Sequence, residues 1–238
     1  MEINSGDLDL TSYFDVFLIT NGRSSFKYTL KALENQKNVK FNLYVIEDMK
    51  WLDACNTCLE YSNLPFYLRL DDDMILHPMA IQFFNYFVKT HIEDEGVFYA
   101  VELWEPWNNR LCNKVKMYNR KLTKKVGFKT DSRGKVDKLF KKKAQGKGYK
   151  IIGGKGKGSA IGIHAACSFD DNYRYSQLRG EINDPTFKIR YKEIINLDKV
   201  VKKIPLDKQL EMSDKDLAEL NKQKNTFFGK FIRKNEEQ

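Results

Sequence analysis

Apolar and polar positions fall into alternating blocks along the first half of the chain. Phe14 to Thr20 (FDVFLIT) is a short apolar run that stops at Asn21-Gly22, the pattern of a buried strand entering a turn. Ser24 or Ser25 stands where a helix cap belongs, and Phe26 to Gln36 then places Tyr28, Leu30 and Leu33 on one side. Phe41 to Ile46 (FNLYVI) reads as a second strand closed by Glu47-Asp48, and Trp51 to Ser62 as a second helix. Phe66 to Leu70 (FYLRL) is a third strand that runs straight into Asp71-Asp72-Asp73. Pro78 to Thr90 reads as a helix and Gly96 to Val101 (GVFYAV) as a fourth strand. This β-α-β-α-β-α-β order predicts an α/β fold with a mostly parallel sheet and helices on both faces.

The second half is less regular. Lys114 to Asn119 reads as a strand, Val136 to Gln145 as a short basic helix, and Gly153 to Ser159 as a glycine-rich loop. Ala160 to His164 (AIGIH) is a strand ending in a histidine, one of three in the chain with His77 and His91. Ser213 is placed to cap a helix over Asp214 to Lys224, with Asp216 at its third position. The 238 residues suit one large domain, expected over 1–204, with a small helical tail over 205–238. The glycine loop departs from a phosphate-binding loop, because the required G-K-S/T order fails at Lys157-Gly158-Ser159.

Charge sharpens this picture. Between Asn108 and Gly158 there are 18 Lys and Arg against Asp131 and Asp137, a local net charge of +16 in a chain whose total is +9. A block of one sign draws polyanions: nucleic acid, an anionic glycan or an anionic membrane surface. The bland alternative is a solvated, lysine-rich helix face. No apolar run is long enough to cross a bilayer. Met1 to Thr11 carries Glu2, Asp7 and Asp9 and no basic residue, unlike a secretory signal, so a cytoplasmic location is expected. Cys55 and Cys58 have the C-x-x-C spacing, but no second pair exists to complete a zinc site. Two reduced thiols packed in a helix are expected instead.

In an open parallel sheet, ligands bind beyond the carboxyl ends of the strands. Here those ends read Thr20-Asn21, Glu47-Asp48, Asp71-Asp72-Asp73 and Glu102. Three adjacent carboxylates repel one another, and a divalent cation with oxygen ligands, Mg²⁺ or Mn²⁺, removes the repulsion. Asp71 and Asp73 would share one side of an extended backbone. An acidic turn is the plainer reading of the same residues.

The run Phe66 to Pro78 (FYLRLDDDMILHP) resembles the D-x-D segment of GT-A glycosyltransferases, the family 2 type in particular. The resemblance extends over roughly Phe14 to His164. It implies a GT-A-like, Rossmann-like sheet that takes a sugar from a nucleotide-sugar donor with Mn²⁺ or Mg²⁺ as cofactor. Residues 12–105 would form the donor half and 106–204 the acceptor half. By resemblance, Thr20, Asn21 and Arg23 would face the donor, with Asp48 contacting the nucleotide base and Asn56 close by. Asp71 would approach ribose and metal, Asp72 would face the donor, and Asp73 would bind the metal directly. His164 looks like the late histidine that completes the metal site in many such enzymes; a hydrogen-bonded histidine near the core is the alternative. Val126-Gly127-Phe128 and Lys138-Leu139-Phe140 resemble segments that flank the family's Glu-Asp pair, whose Asp is the general base. This chain has Gly134-Lys135-Val136-Asp137 there, so Asp137 is the first candidate for that role and Asp131 the second.

Trp104, Glu105 and Trp107 offer an acceptor wall, since tryptophan stacks on sugar and base faces. Lys141, Lys142 and Lys143 would hold a polyanionic acceptor. Three functions stay open. The first is a glycosyltransferase acting on hydroxymethylated DNA, with Tyr118, Phe128, Phe140 and Tyr149 interleaved among the bases of the basic block. The second is a glycosyltransferase of surface polysaccharide or lipopolysaccharide, with Phe227 to Lys234 (FFGKFIRK) making a peripheral membrane contact. The third is a nucleic-acid-binding protein without activity. The first is narrowly favoured, with a UDP-sugar as donor.

Overall fold

The structure is a computed structural model that describes residues 12–23, 25–91, 96–105, 110–131, 134–153 and 160–164. The expected helix over 214–224, the tail over 205–238, Trp107 and Cys167 lie outside the described residues.

The chain opens with β1 (Phe14–Thr20), α1 (Phe26–Glu34), β2 (Leu43–Glu47), α2 (Trp51–Tyr61) and β3 (Phe66–Asp71). β1 is the hub, parallel to β2 on one side and to β3 on the other. A two-residue turn follows β3, and then come β4 (Met74–Leu76), α3 (Ala80–His91) and the long hairpin of β5 (Gly96–Glu105) and β6 (Arg110–Asn119). Next are α4 (Arg120–Val126), α5 (Val136–Gly146), β7 (Lys150–Gly153) and β8 (Ala160–His164). The strand order is β2-β1-β3-β6-β5-β8-β4, with β7 beside β5. The sheet is mostly parallel but mixed: β6 runs antiparallel to β3 and β5, and β4 antiparallel to β8.

Alternation along the central strands divides the core between the two faces of the sheet. Phe14, Val16 and Leu18 of β1 and Phe66, Leu68 and Leu70 of β3 join Leu33 of α1 and Phe84 and Val88 of α3 on one face. Phe17, Ile19 and Tyr67 join Cys55 and Cys58 of α2, Val126 of α4 and Phe140 of α5 on the other. Helices thus cover both faces, as the sequence predicts. Cys55 and Cys58 are buried, free thiols, and burial pushes them up to about 11 and about 12.

Three local expectations are corrected. Ser25 occupies the cap position of α1, but its hydroxyl makes no capping bond. Asp71 to Asp73 is not extended throughout, because β3 ends at Asp71 and the next two residues turn into β4. The aromatics expected to interleave with bases on a surface are core residues: Tyr118, Phe128 and Phe140 are all buried. Phe128 stacks on Phe140 at 4.5 Å, and Tyr118 meets both rings edge-on.

Candidate functional site

The carboxyl ends of β1 and β3, the start of α2 and the end of β8 meet around a cavity of about 190 Å³. Ile19, Thr20, Asn21 and Arg23 line it from β1 and its turn, and Trp51 from α2. Asp71, Asp72, Asp73 and His164 complete the lining. The β4–β8 pairing brings the histidine there, because His164 lies opposite Met74, the residue after Asp73. That pairing depends on Gly162, whose position would put a Cβ 2.3 Å from the Ile75 carbonyl oxygen.

The three aspartates have different surroundings. Asp72 is buried and faces the β1 turn. Its Oδ2 accepts from the Thr20 hydroxyl at 2.7 Å and the Asn21 N–H at 3.3 Å, and its Oδ1 from Arg23 Nη1 at 3.2 Å. The Thr29 hydroxyl donates to the Asp72 carbonyl at 2.9 Å, so this residue ties β1, α1 and β3 together. Asp73 accepts from Arg23 Nη1 through Oδ2 at 2.9 Å. Its Oδ1 is buried with no hydrogen-bond partner among the described residues, and His164 Nε2 lies 3.6 Å from it. Burial, reinforced by the charge of Asp73 and opposed by Arg69 and Lys116, pushes the Asp71 carboxyl up to about 6.

A buried carboxylate oxygen left without a donor costs free energy unless something else occupies it. Asp73 Oδ1 and His164 Nε2 are within the span of two ligand bonds of about 2.1 Å each. Among the described residues, no three His, Cys, Asp or Glu side chains are gathered closely enough to enclose a cation by themselves. Asp73 and His164 could supply two ligands to a cation whose remaining ligands come from a substrate, as with Mg²⁺ and Mn²⁺ bound with phosphates.

The other expected residues fall elsewhere. Asp48 is exposed in a left-handed conformation (φ 49°) and donates its N–H to the Thr20 carbonyl, beside the cavity but not lining it. Asn56 is half-buried in α2 and does not line it either. Trp104 is half-buried against Ile75 and Ile163. Glu105 ends β5, paired with Arg110. Asp131 sits in the turn before α5, its Oδ1 accepting from the Lys135 N–H at 2.9 Å. Lys141 and Lys142 are exposed, but Lys143 Nζ donates to the Val126 carbonyl at 3.1 Å and so caps the end of α4.

Asp137 does not line the cavity and is held in an ion pair. Arg69 Nη2 donates to its Oδ1 and Oδ2 at 2.8 and 2.9 Å, and Lys116 Nζ to Oδ2 at 2.5 Å. Against the cost of its own burial, these two cations hold the Asp137 carboxyl well below the usual carboxylate range. Trp51, Arg69 and Lys116 are the residues that sequence reasoning missed. The signal was present at Arg69, a charge inside an otherwise apolar strand, which must find a partner when buried.

No known family's sequence profile matches the chain, and no curated protein matches it in sequence. Solved structures do match in fold. The mannosyltransferase PcManGT from Pyrobaculum calidifontis, solved in complex with GDP-Man and Mn²⁺, superposes with a TM-score of 0.50 at 13% identity, covering 81% of this chain and 72% of that one. S. aureus TarS (residues 1–349) reaches a TM-score of 0.48 at 15% identity, over 79% and 69% of the two chains. The fold is of the GT-A type that the D-x-D resemblance implies.

Proposed function

We propose that this chain is a divalent-metal-dependent glycosyltransferase that moves a sugar from a nucleotide-sugar donor to a hydroxyl acceptor. The observation that carries the reading is the buried Asp73 Oδ1, which has no hydrogen-bond partner among the described residues. It faces His164 and lies beside Asp71 at the strand ends of a GT-A-type sheet. The Mn²⁺ and GDP-Man bound by the fold neighbour PcManGT support it.

Asp71, Asp73 and His164 would hold Mn²⁺ or Mg²⁺, which when bound supplies positive charge against the leaving diphosphate. Thr20, Asn21 and Arg23 border the same cavity and face the donor, and Asp72 fixes their loop by accepting from all three. Asp48, next to Thr20, is the base-side contact that favours a UDP-sugar. A general base must be able to take a proton near the working pH. Asp137 is ill suited to this while Arg69 and Lys116 hold it, which leaves Asp131 as the candidate.

The acceptor is proposed to be polyanionic, with hydroxymethylated DNA narrowly preferred. Lys121, Lys124 and Lys125 of α4 and Lys138, Lys141 and Lys142 of α5 are all exposed. With Tyr118, Phe128 and Phe140 buried, these lysines can hold phosphates and would position an acceptor without reading sequence. The large apolar residues exposed among the described residues are Val45, Tyr61 and Tyr86, and none lies on α4 or α5. Phe227 to Lys234, the segment that carries the membrane-side glycan reading, lies outside the described residues. The deciding experiment is a screen of the common nucleotide sugars for Mn²⁺-dependent donor hydrolysis. Turnover of one donor is expected; neither turnover nor nucleotide binding with any donor rejects the enzyme and favours an inactive polyanion-binding protein.

A further inference from the structure

The donor pocket has a wall whose position is set from outside the pocket. Trp51, the first residue of α2, lines the cavity, and the Arg69 guanidinium lies over its ring, 4.6 Å from the centroid. Arg69 is itself buried in β3, two residues before Asp71, so both side chains leave the same side of the strand. It donates through Nη1 to Cys55 Sγ at 3.0 Å and through Nη2 to both oxygens of Asp137. Lys116 from β6 holds Asp137 Oδ2 as well. A continuous set of contacts therefore runs from α5 through Asp137 and Arg69 to the ring at the cavity.

We propose that Asp137 is a positioning residue for the donor pocket: through Arg69 it fixes the Trp51 ring as the wall against which the nucleotide of the donor packs. The inference rests on the nucleotide-sugar reading above and goes beyond it by assigning this carboxylate a binding role in place of proton transfer. Both Asp137 oxygens are engaged, whereas a proton acceptor needs one directed at the substrate hydroxyl. A planar guanidinium held by a bidentate carboxylate is a fixed platform for an aromatic face. The ring it carries needs no reordering when a planar base or ribose packs there.

The test compares wild type, Asp137→Asn, Trp51→Leu and the double variant. It reads Mn²⁺-dependent binding of UDP and GDP, together with KM and kcat for donor hydrolysis. Asp137→Asn and Trp51→Leu should each weaken nucleotide binding and raise the donor KM about fivefold or more, with kcat within about threefold of wild type. The double variant should lose no more than the worse single variant, because both act on one wall. A kcat loss of about 100-fold or more in Asp137→Asn with unchanged nucleotide affinity is the signature of a proton acceptor and overturns the proposal. Multiplying losses in the double variant overturn it too. If Asp137→Asn does not fold, Trp51→Leu still decides, since it leaves the buried pair intact: unchanged nucleotide affinity there overturns the proposal. Failure of the wild type to bind either nucleotide with Mn²⁺ is a separate result that removes the donor site itself.

Discussion

Asp71 is costly to the folded chain at the position proposed for metal and donor binding. Its carboxyl is pushed up to about 6 from an ordinary 3.8. Between those values the folded state keeps a proton that the unfolded state releases. Metal-free stability should therefore fall as pH rises from about 4 to about 6 and level off above. Asp71→Asn should abolish that fall and stabilise the metal-free protein at pH 7 by about 1–3 kcal/mol. Thermal melts in EDTA across this range check it; a melting temperature that is lower for the variant at pH 7 contradicts it. His164 carries the opposite expectation. His164→Ala should leave metal-free melting nearly unchanged and raise the Mn²⁺ needed for donor turnover about tenfold or more. A large loss of metal-free stability with normal metal dependence would make it a core histidine. All three aspartates line the cavity, and the cluster was legible in the sequence as three carboxylates at the end of an apolar strand. The division of labour among them was not. Asp72 turns back to Thr20, Asn21 and Arg23 because β3 ends one residue earlier, and that is a property of the turn.

At the scale of elements, the local signals were legible and the non-local pairings were not. β1, α2 and β8 begin where apolar runs and turn residues place them, and Ala160–His164 matches the strand read from AIGIH. β4 and β7 are short, and α4 follows β6 with no break, so each lacks a periodic stretch long enough to read. The antiparallel placing of β6 between β3 and β5 depends on the β5–β6 hairpin, which no alternation pattern specifies. The β4–β8 contact also explains a glycine that the sequence left unremarked. Gly162→Ala should force β8 off Ile75 and cost about 1–3 kcal/mol. Because His164 is two residues on, the same change should raise the metal requirement. Chemical denaturation and metal titration of the variant check both effects, and unchanged values in both would contradict the role given to this pairing.

For the whole molecule, six lysines of the basic block, Lys121, Lys124, Lys125, Lys138, Lys141 and Lys142, stand exposed on α4 and α5. The sequence located the charge but not its geometry. It could not show that Tyr118, Phe128 and Phe140 point inward or that Lys143 is spent on the end of α4. If this face holds DNA, binding releases counterions and log affinity falls linearly with log salt. Replacing Lys138, Lys141 and Lys142 with Gln should flatten the slope by about 2–3 and weaken duplex binding across sequences, while free-donor hydrolysis continues. Binding to anionic vesicles with no DNA affinity at low salt would move the acceptor to a membrane-side glycan. Beneath the choice of acceptor lies the claim that Asp71, Asp73 and His164 hold a cation against a nucleoside diphosphate. Calorimetric titration of UDP and GDP into wild type and Asp73→Asn, with Mn²⁺ and with EDTA, tests it most directly. One nucleotide should bind the wild type only with Mn²⁺, and Asp73→Asn should weaken that binding about 100-fold. Equal binding in EDTA, or full affinity in Asp73→Asn, would contradict it.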